Sequence, residues 1–198
     1  DQAALLDAAR RACLGGVNRC QIISYADDCA LLQELFTHDG SGTLIAKDEY
    51  ELSRTATIDD VGGILELIQP LEQEGVLVKR SRELLESEIG QFRLLERDGR
   101  IIACAALYPF SEDGCGEIAC IVSHPDYRGG ARGQRLLAAL EDEARRQGLD
   151  RVFVLSTQTA HWFLEQGFVE STPDALPSAR QSLYNLQRNS KVFFKTLQ

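Results

Sequence analysis

The sequence predicts a mixed α/β fold, a sheet flanked by helices, and three features predict it. Residues 117–122 (EIACIV) form an apolar, β-branched run that passes through a loop of arginines and glycines into an amphipathic helix. Two apolar runs, 92–97 and 100–108, are joined by Asp98-Gly99, the strongest short hairpin signal. Val61, Ile64, Leu65, Ile68 and Leu71 recur at helical spacing behind a capping-box-like start at Thr57 and Asp60, despite Gly62 and Gly63.

In chain order, that first helix is followed by a second, short one over about 82–89, and then by the hairpin. The strand at 117–122 ends in a turn made by His124, Pro125 and Asp126. A helix then starts near Gly133. Leu136, Leu137, Leu140 and Ala144 line one of its faces, and Gly148 stands where a left-handed C-terminal cap belongs. Residues 151–155 (RVFVL) read as another buried strand and 160–166 as a short helix closed by Gly167, after which Phe168 and Val169 resume a strand.

The loop carries the chemistry. Residues 124–137 read HPDYRGGARGQRLL. Gly129, Gly130 and Gly133 remove side chains where the unpaired N–H groups of a helix N-terminus point outward, and Arg128 and Arg132 add positive charge, so an anion of pyrophosphate type suits the loop. It is neither a P-loop nor a Rossmann fingerprint, because GKS/T is missing and the glycines do not follow G-x-G-x-x-G. An arginine- and glycine-rich surface turn is the ordinary alternative.

At 198 residues the chain can bury one good core, so one domain with an attached piece is the expected count. The formal charge of −9 excludes a general nucleic-acid binder and leaves anion binding to local basic patches. No apolar run is long enough to span a membrane, and no signal peptide is visible. Cys13, Cys20, Cys29, Cys104, Cys115 and Cys120 lack paired C-x-x-C spacing, and several lie in apolar runs. Reduced core cysteines are therefore expected in place of zinc or disulfides, which suits the cytoplasm, and no metal is expected. The chain begins at Asp1 and contains no methionine, so it is expected to be a piece of a longer protein.

Residues 128–133 (RGGARG), with the strand, loop and helix around them, resemble the GCN5-related N-acetyltransferases, whose pyrophosphate loop reads R/Q-x-x-G-x-G/A. Ala131 stands where that family usually has its first motif glycine. Residues 162–168 (WFLEQGF) resemble the family's F-Y-x-x-x-G-F signature, with Phe163 replacing the tyrosine that often protonates the departing CoA thiolate. Phenylalanine has no proton to give. A closer resemblance, over 56 to about 195, is to the acetyltransferase domain of the N-acetylglutamate synthase family. It is carried by ATIDDVGGILELIQPLEQEGVLVKRSRELLE, IIACAALYPF, GEIACIVSHPDYR, AHWFLEQGF and SLYNLQRNSKV. The first fifty residues, ending in LLQELFTHDGSGTLI, resemble the end of an amino acid kinase domain.

The resemblance implies a GCN5-related fold with a mixed, mostly antiparallel sheet flanked by helices. Residues 1–50 would be the C-terminal remnant of a kinase-like domain and 51–198 the acetyltransferase domain. It also implies acetyl-CoA as co-substrate, L-glutamate as acceptor, a homo-oligomer, and L-arginine as an effector acting through the kinase-like part; in the reading of the chain as a regulatory binding module, Glu34 and Gly42 are the contacts considered for it. Neither nucleic acid nor membrane is implied.

Acetyl transfer from a thioester needs a neutral amine, a polarised carbonyl and a route for protons. The resemblance places the general base on Glu117; a solvated strand-end carboxylate is the alternative. Strand alternation points Cys120 to the face opposite Glu117, as a packing residue whose N–H holds the thioester oxygen. Cys120, Ile121, Val122, Arg128, Gly129, Gly130, Ala131, Arg132, Gly133 and Gln134 form the expected cofactor-binding set. Ser156, at the end of RVFVL, is expected to place or protonate the departing thiolate, or else merely ends the strand. His124 and His161 read as solvated structural residues. Two carboxylate anchors call for guanidinium forks, and the resemblance assigns the acceptor to Arg80 and Arg188, supported by Lys79 and Lys191; a solvated charged face is the alternative.

Two other functions stay open. One is an acetyltransferase for another amine, such as an aminoglycoside or a protein N-terminus, whose acceptor pocket should be acidic. The other is a catalytically degenerate module that senses acetyl-CoA or arginine, given Phe163 and Ala131.

Overall fold

The computed structural model describes residues 2–37, 40–46, 51–97, 99–184 and 190–197. The chain divides into two compact units, Asp1–Tyr50 and Glu51–Gln198. The first holds the helices α1 (Gln2–Leu14) and α2 (Ala30–Phe36) and an antiparallel pair, β1 (Arg19–Ile22) with β2 (Thr43–Ala46).

The second unit begins with β3 (Leu52–Thr55). Thr57 then donates its N–H and its hydroxyl to the Asp60 carboxylate, at 2.7 and 3.0 Å, across a 3₁₀ turn. The helix α3 (Val61–Gln73) therefore starts at Val61, one turn after the cap that announces it. Arg54 pairs with the same carboxylate and holds it well below the usual carboxylate range. Ser81 accepts a hydrogen bond from the N–H of Leu84 and starts α4 (Arg82–Ser87), which ends short of the expected 89 because a 3₁₀ turn takes over.

The hairpin β4 (Phe92–Arg97) to β5 (Arg100–Phe110) pairs Arg97 with Arg100 across a two-residue turn. Gly99 adopts φ 77°, and Asp98 lies outside the described residues. Then come β6 (Cys115–Ser123), α5 (Arg132–Arg146), β7 (Arg151–Ser156), α6 (Ala160–Glu165), β8 (Val169–Ser171), α7 (Ser178–Gln181) and β9 (Lys191–Thr196). Among the described residues the strands of this unit make a seven-stranded sheet in the order β3-β4-β5-β6-β7-β9-β8. Only β6 and β7 are parallel; the other pairs are antiparallel.

Alternation along the central strands separates two apolar layers. Ala103, Ala105 and Leu107 of β5 pack with Leu136, Leu140 and Phe163 from α5 and α6. Cys104 and Ala106, on the other face, pack with Ile64, Ile68 and Leu85 from α3 and α4. One sequence expectation fails here. The register between β5 and β6 slips, because the step from Ala106 to Cys104 faces the longer step from Ala119 to Val122, and Cys120 takes φ 53°. This bulge inserts an extra residue, so Cys120 does not alternate away from Glu117 but joins the α3 side of the sheet with it.

Candidate active site

The parallel strands β6 and β7 pair only at Cys115 with Arg151, Gly116 with Val152 and Glu117 with Phe153. Beyond Glu117 they part, and the bulge leaves Cys120 and Ile121 outside the paired register at that place. A small cavity of about 100 Å³ lies between the separated strands, bounded by Ile118, Cys120, Ser156, Thr159 and Phe163. A larger one of about 400 Å³, lined by Arg80, Glu117, Cys120, Arg180 and Tyr184, shares the Ala119, Cys120 and Leu155 wall.

Glu117 is 8% exposed. Arg180, at the start of the C-terminal segment, donates from Nε to its Oε2 at 2.5 Å and from Nη2 to its Oε1 at 3.0 Å. The fork is bidentate, the geometry that makes guanidinium the best carboxylate partner. Arg80 enters the cavity from the segment between α3 and α4. Its N–H donates to the buried Glu72 at 3.0 Å, which fixes the chain there. Burial alone would lower the Arg80 guanidinium, but Cys120, Tyr108 and Glu88 together hold it up. Tyr108 donates to Glu88 at 2.8 Å, and burial, reinforced by that carboxylate and opposed by Arg80, pushes its hydroxyl up. Burial also pushes the Cys120 thiol up, with Arg80 opposing, so at neutral pH it stands as a thiol and not as a nucleophilic thiolate.

Ser156 closes β7, and its Oγ lies 2.9 Å from Oγ1 of Thr159 while accepting the Thr159 N–H at 3.1 Å. Phe163, in the place of the missing tyrosine, packs its ring against Phe168 and Phe193 in the core.

The loop ahead of α5 is wound by three successive left-handed residues, Gly129 (φ 90°), Gly130 (φ 60°) and Ala131 (φ 57°). The two glycines take this conformation without strain, whereas for alanine it costs roughly 1–2 kcal/mol. The first-turn amides of α5, Gly133 and Gln134 included, have no intrahelical acceptor, and Arg128 and Gln134 are exposed beside them. At Gly133 an added Cβ would lie 3.1 Å from the Trp162 ring, so a larger residue would make that ring give by a few tenths of an ångström.

Arg132 departs from its expected role. Its guanidinium turns inward, bonding to the Glu51 carboxylate and, at 2.7 Å, to the carbonyl of Tyr127. Arg135 reaches the same carboxylate at 2.9 Å. A buried carboxylate needs such partners, and these two arginines, one helical turn apart, supply them.

Of the expected acceptor residues, Arg80 lines the cavity. Lys79 is exposed and outside its lining. Lys191 also lies outside the lining; it pairs with Glu170 at 2.9 Å, since alternation along β9 buries Val192 and exposes its neighbour. Arg188 lies outside the described residues. Arg180 escaped sequence reasoning: it sits in a short polar helix with no motif around it, and only the need of a buried carboxylate for a distant partner could have pointed to it. The structural roles of the two histidines are consistent with the geometry. His124 accepts the Asp126 N–H and contacts Arg100, and the exposed His161 faces Glu165 at 3.1 Å. In the N-terminal unit Glu34 accepts the N–H groups of Ser41 and Gly42 at 2.8 and 3.0 Å. Among the described residues no helix is long and apolar enough to cross a membrane, and no His/Cys/Asp/Glu group is arranged to hold a metal.

The Acetyltransferase (GNAT) family model matches residues 61–168. The chain is 61% identical over 196 residues to the amino-acid acetyltransferase of Ectopseudomonas mendocina, covering 99% of this chain and 45% of that protein. Two structures of N-acetylglutamate synthase from Neisseria gonorrhoeae align with 98% of the chain. The complex with coenzyme A and N-acetyl-glutamate is 46% identical, with a TM-score of 0.74, and 46% of its chain is covered. The complex with coenzyme A and L-arginine is 45% identical, with a TM-score of 0.84, and 44% of its chain is covered. The chain thus spans about half the length of the relatives it matches.

Proposed function

The chain belongs to the acetyltransferase (GNAT) family, and from that premise we propose that it transfers the acetyl group of acetyl-CoA to the α-amino group of L-glutamate, giving N-acetyl-L-glutamate and CoA, the first step of arginine biosynthesis. The observation that carries the acceptor is the 400 Å³ cavity, where two guanidinium groups, Arg80 and Arg180, share one space with Glu117. A dicarboxylate needs two such anchors. An aminoglycoside or another polycation would meet two like charges there, which argues against the acetyltransferases for basic amines. The relatives named amino-acid acetyltransferase and the synthase complex with N-acetyl-glutamate support the same reading.

In this reading the pyrophosphate of acetyl-CoA lies on the amides of 129–134 with Arg128 beside it, and the thioester reaches the gap between β6 and β7. The outward amides at the bulge of Cys120 and Ile121 polarise its carbonyl. Glu117 accepts a proton from the α-ammonium, the freed amine attacks the carbonyl carbon, and the C–S bond breaks with its electron pair leaving on sulfur. Ser156 gives that thiolate a proton and is resupplied through the Thr159 hydroxyl. Phe163 has no part in the proton route. Arg80 and Arg180 hold the two carboxylates; the family resemblance assigns Arg188 to the acceptor as well.

We further read residues 1–50 as the end of an amino acid kinase-like domain through which L-arginine acts, in a cytoplasmic homo-oligomer. The synthase complex with L-arginine supports the effector. The test is thiol release from acetyl-CoA with this chain across glutamate, glutamine, aspartate and ornithine. A response confined to glutamate is expected. A response to ornithine, or none to any while acetyl-CoA still binds, overturns the acceptor assignment.

A further inference from the structure

Both oxygens of Glu117 are engaged by one guanidinium, so the residue assigned to take the ammonium proton is already neutralised by Arg180. Arg180 is also one of two forks available to the acceptor. Two carboxylates therefore compete for a single fork: that of Glu117 and the second carboxylate of an acidic amino acid. Charge counting decides what each acceptor does. A dicarboxylate brings its own second anion to Arg180, and the exchange leaves Glu117 as an unpaired, 8% exposed carboxylate facing the α-ammonium, free of the guanidinium that occupied both its oxygens. A neutral amino acid brings only its α-carboxylate, which Arg80 takes, so it has no second anion to exchange; Arg180 stays on Glu117, and the ammonium meets a carboxylate already paired with a guanidinium.

Resting on the glutamate reading above, we propose that Arg180 determines specificity by making the basicity of Glu117 conditional on the acceptor's second carboxylate. Exchange of the fork frees Glu117; the N–H bond of the ammonium then breaks, an O–H bond forms on Glu117, and the lone pair stays on nitrogen for the attack. Arg180 thus acts as a latch as well as an anchor. An anchor alone only tightens binding of glutamate, whereas a latch also withholds catalysis from everything else.

The two roles separate in steady-state kinetics with L-glutamate and its neutral isostere L-glutamine. For Arg180→Gln, kcat/KM for glutamate falls and kcat/KM for glutamine rises about tenfold above that of the unchanged chain, the scale of releasing one charge-assisted pair. Adding Glu117→Gln abolishes the glutamine gain, because there is then no base to free. Arg180→Lys, which keeps the charge but loses the fork, gives a smaller gain of the same sign. Unchanged acetyl-CoA affinity, measured by calorimetry, shows that each variant is folded. A fall for glutamate with glutamine unmoved in both variants overturns the latch and leaves the glutamate reading standing. Absence of glutamate acetylation by the unchanged chain overturns that reading and the latch with it.

Discussion

The loop ahead of α5 takes its shape from consecutive residues 128–134, whereas the cavity beside it takes its chemistry from Arg80, Glu117 and Arg180, which stand on three separate parts of the chain. The loop needs only left-handed glycines and a helix start, both properties of a short peptide. The cavity needs a buried carboxylate to meet a guanidinium 63 residues away. Yet the loop is less local than it looks, because Glu51, 81 residues before Arg132, takes up the charge that loop and helix would otherwise present. A site of this kind can be recognised by its local half and understood only through its distant one.

Substitutions at four positions test how far the loop and the cavity depend on distant partners. Glu117→Gln should cut kcat about 100-fold, the lower end of general-base catalysis, with acetyl-CoA affinity intact, since it touches only the cavity. Normal turnover would remove Glu117 from the chemistry. Glu51→Gln should destabilise the fold by about 2 kcal/mol in urea unfolding, a value discounted for the partly exposed Arg135, and should raise the KM for acetyl-CoA more than that for glutamate. If neither changes, the loop is self-sufficient. Thr159→Val should lower kcat roughly fivefold, about one hydrogen bond, without moving either KM, and Thr159→Ser should restore it. An equal loss in both variants would mean that Thr159 serves only to begin α6. Ala131→Gly should raise stability by about 0.5 kcal/mol, strain relief reduced by the greater freedom of glycine in the unfolded chain, with acetyl-CoA binding undiminished. Lower stability would show that the left-handed alanine is supported by contacts of its own.

Much of the fold was legible because its signals are short. The pairing of Thr57 with Asp60, the tight connection at Gly99 between β4 and β5, and the apolar face of α5 each depend on residues within a turn or two of one another. Helix limits shifted by a turn at α3 and by two residues at α4, where 3₁₀ turns compete with the α-helix. The site was legible unevenly. Arg80 was reached through the family resemblance, while Lys79 and Lys191, assigned with it, lie outside the cavity lining, because a resemblance in sequence does not say which side chain a strand or a turn brings inward.

Neighbouring residues were enough to set the hairpin of β4 and β5, the apolar face of α5, the left-handed glycines of the loop before it and the phenylalanine at 163, since periodicity and backbone preference need no distant partner. Tertiary structure alone decided that Cys120 shares the face of Glu117, that Arg132 looks toward Glu51, and that Arg180 closes on the candidate base. A bulge exists only in the register of two strands, and an ion pair only where burial leaves a charge no solvent to turn to, so these outcomes appear once the sheet has brought distant segments together.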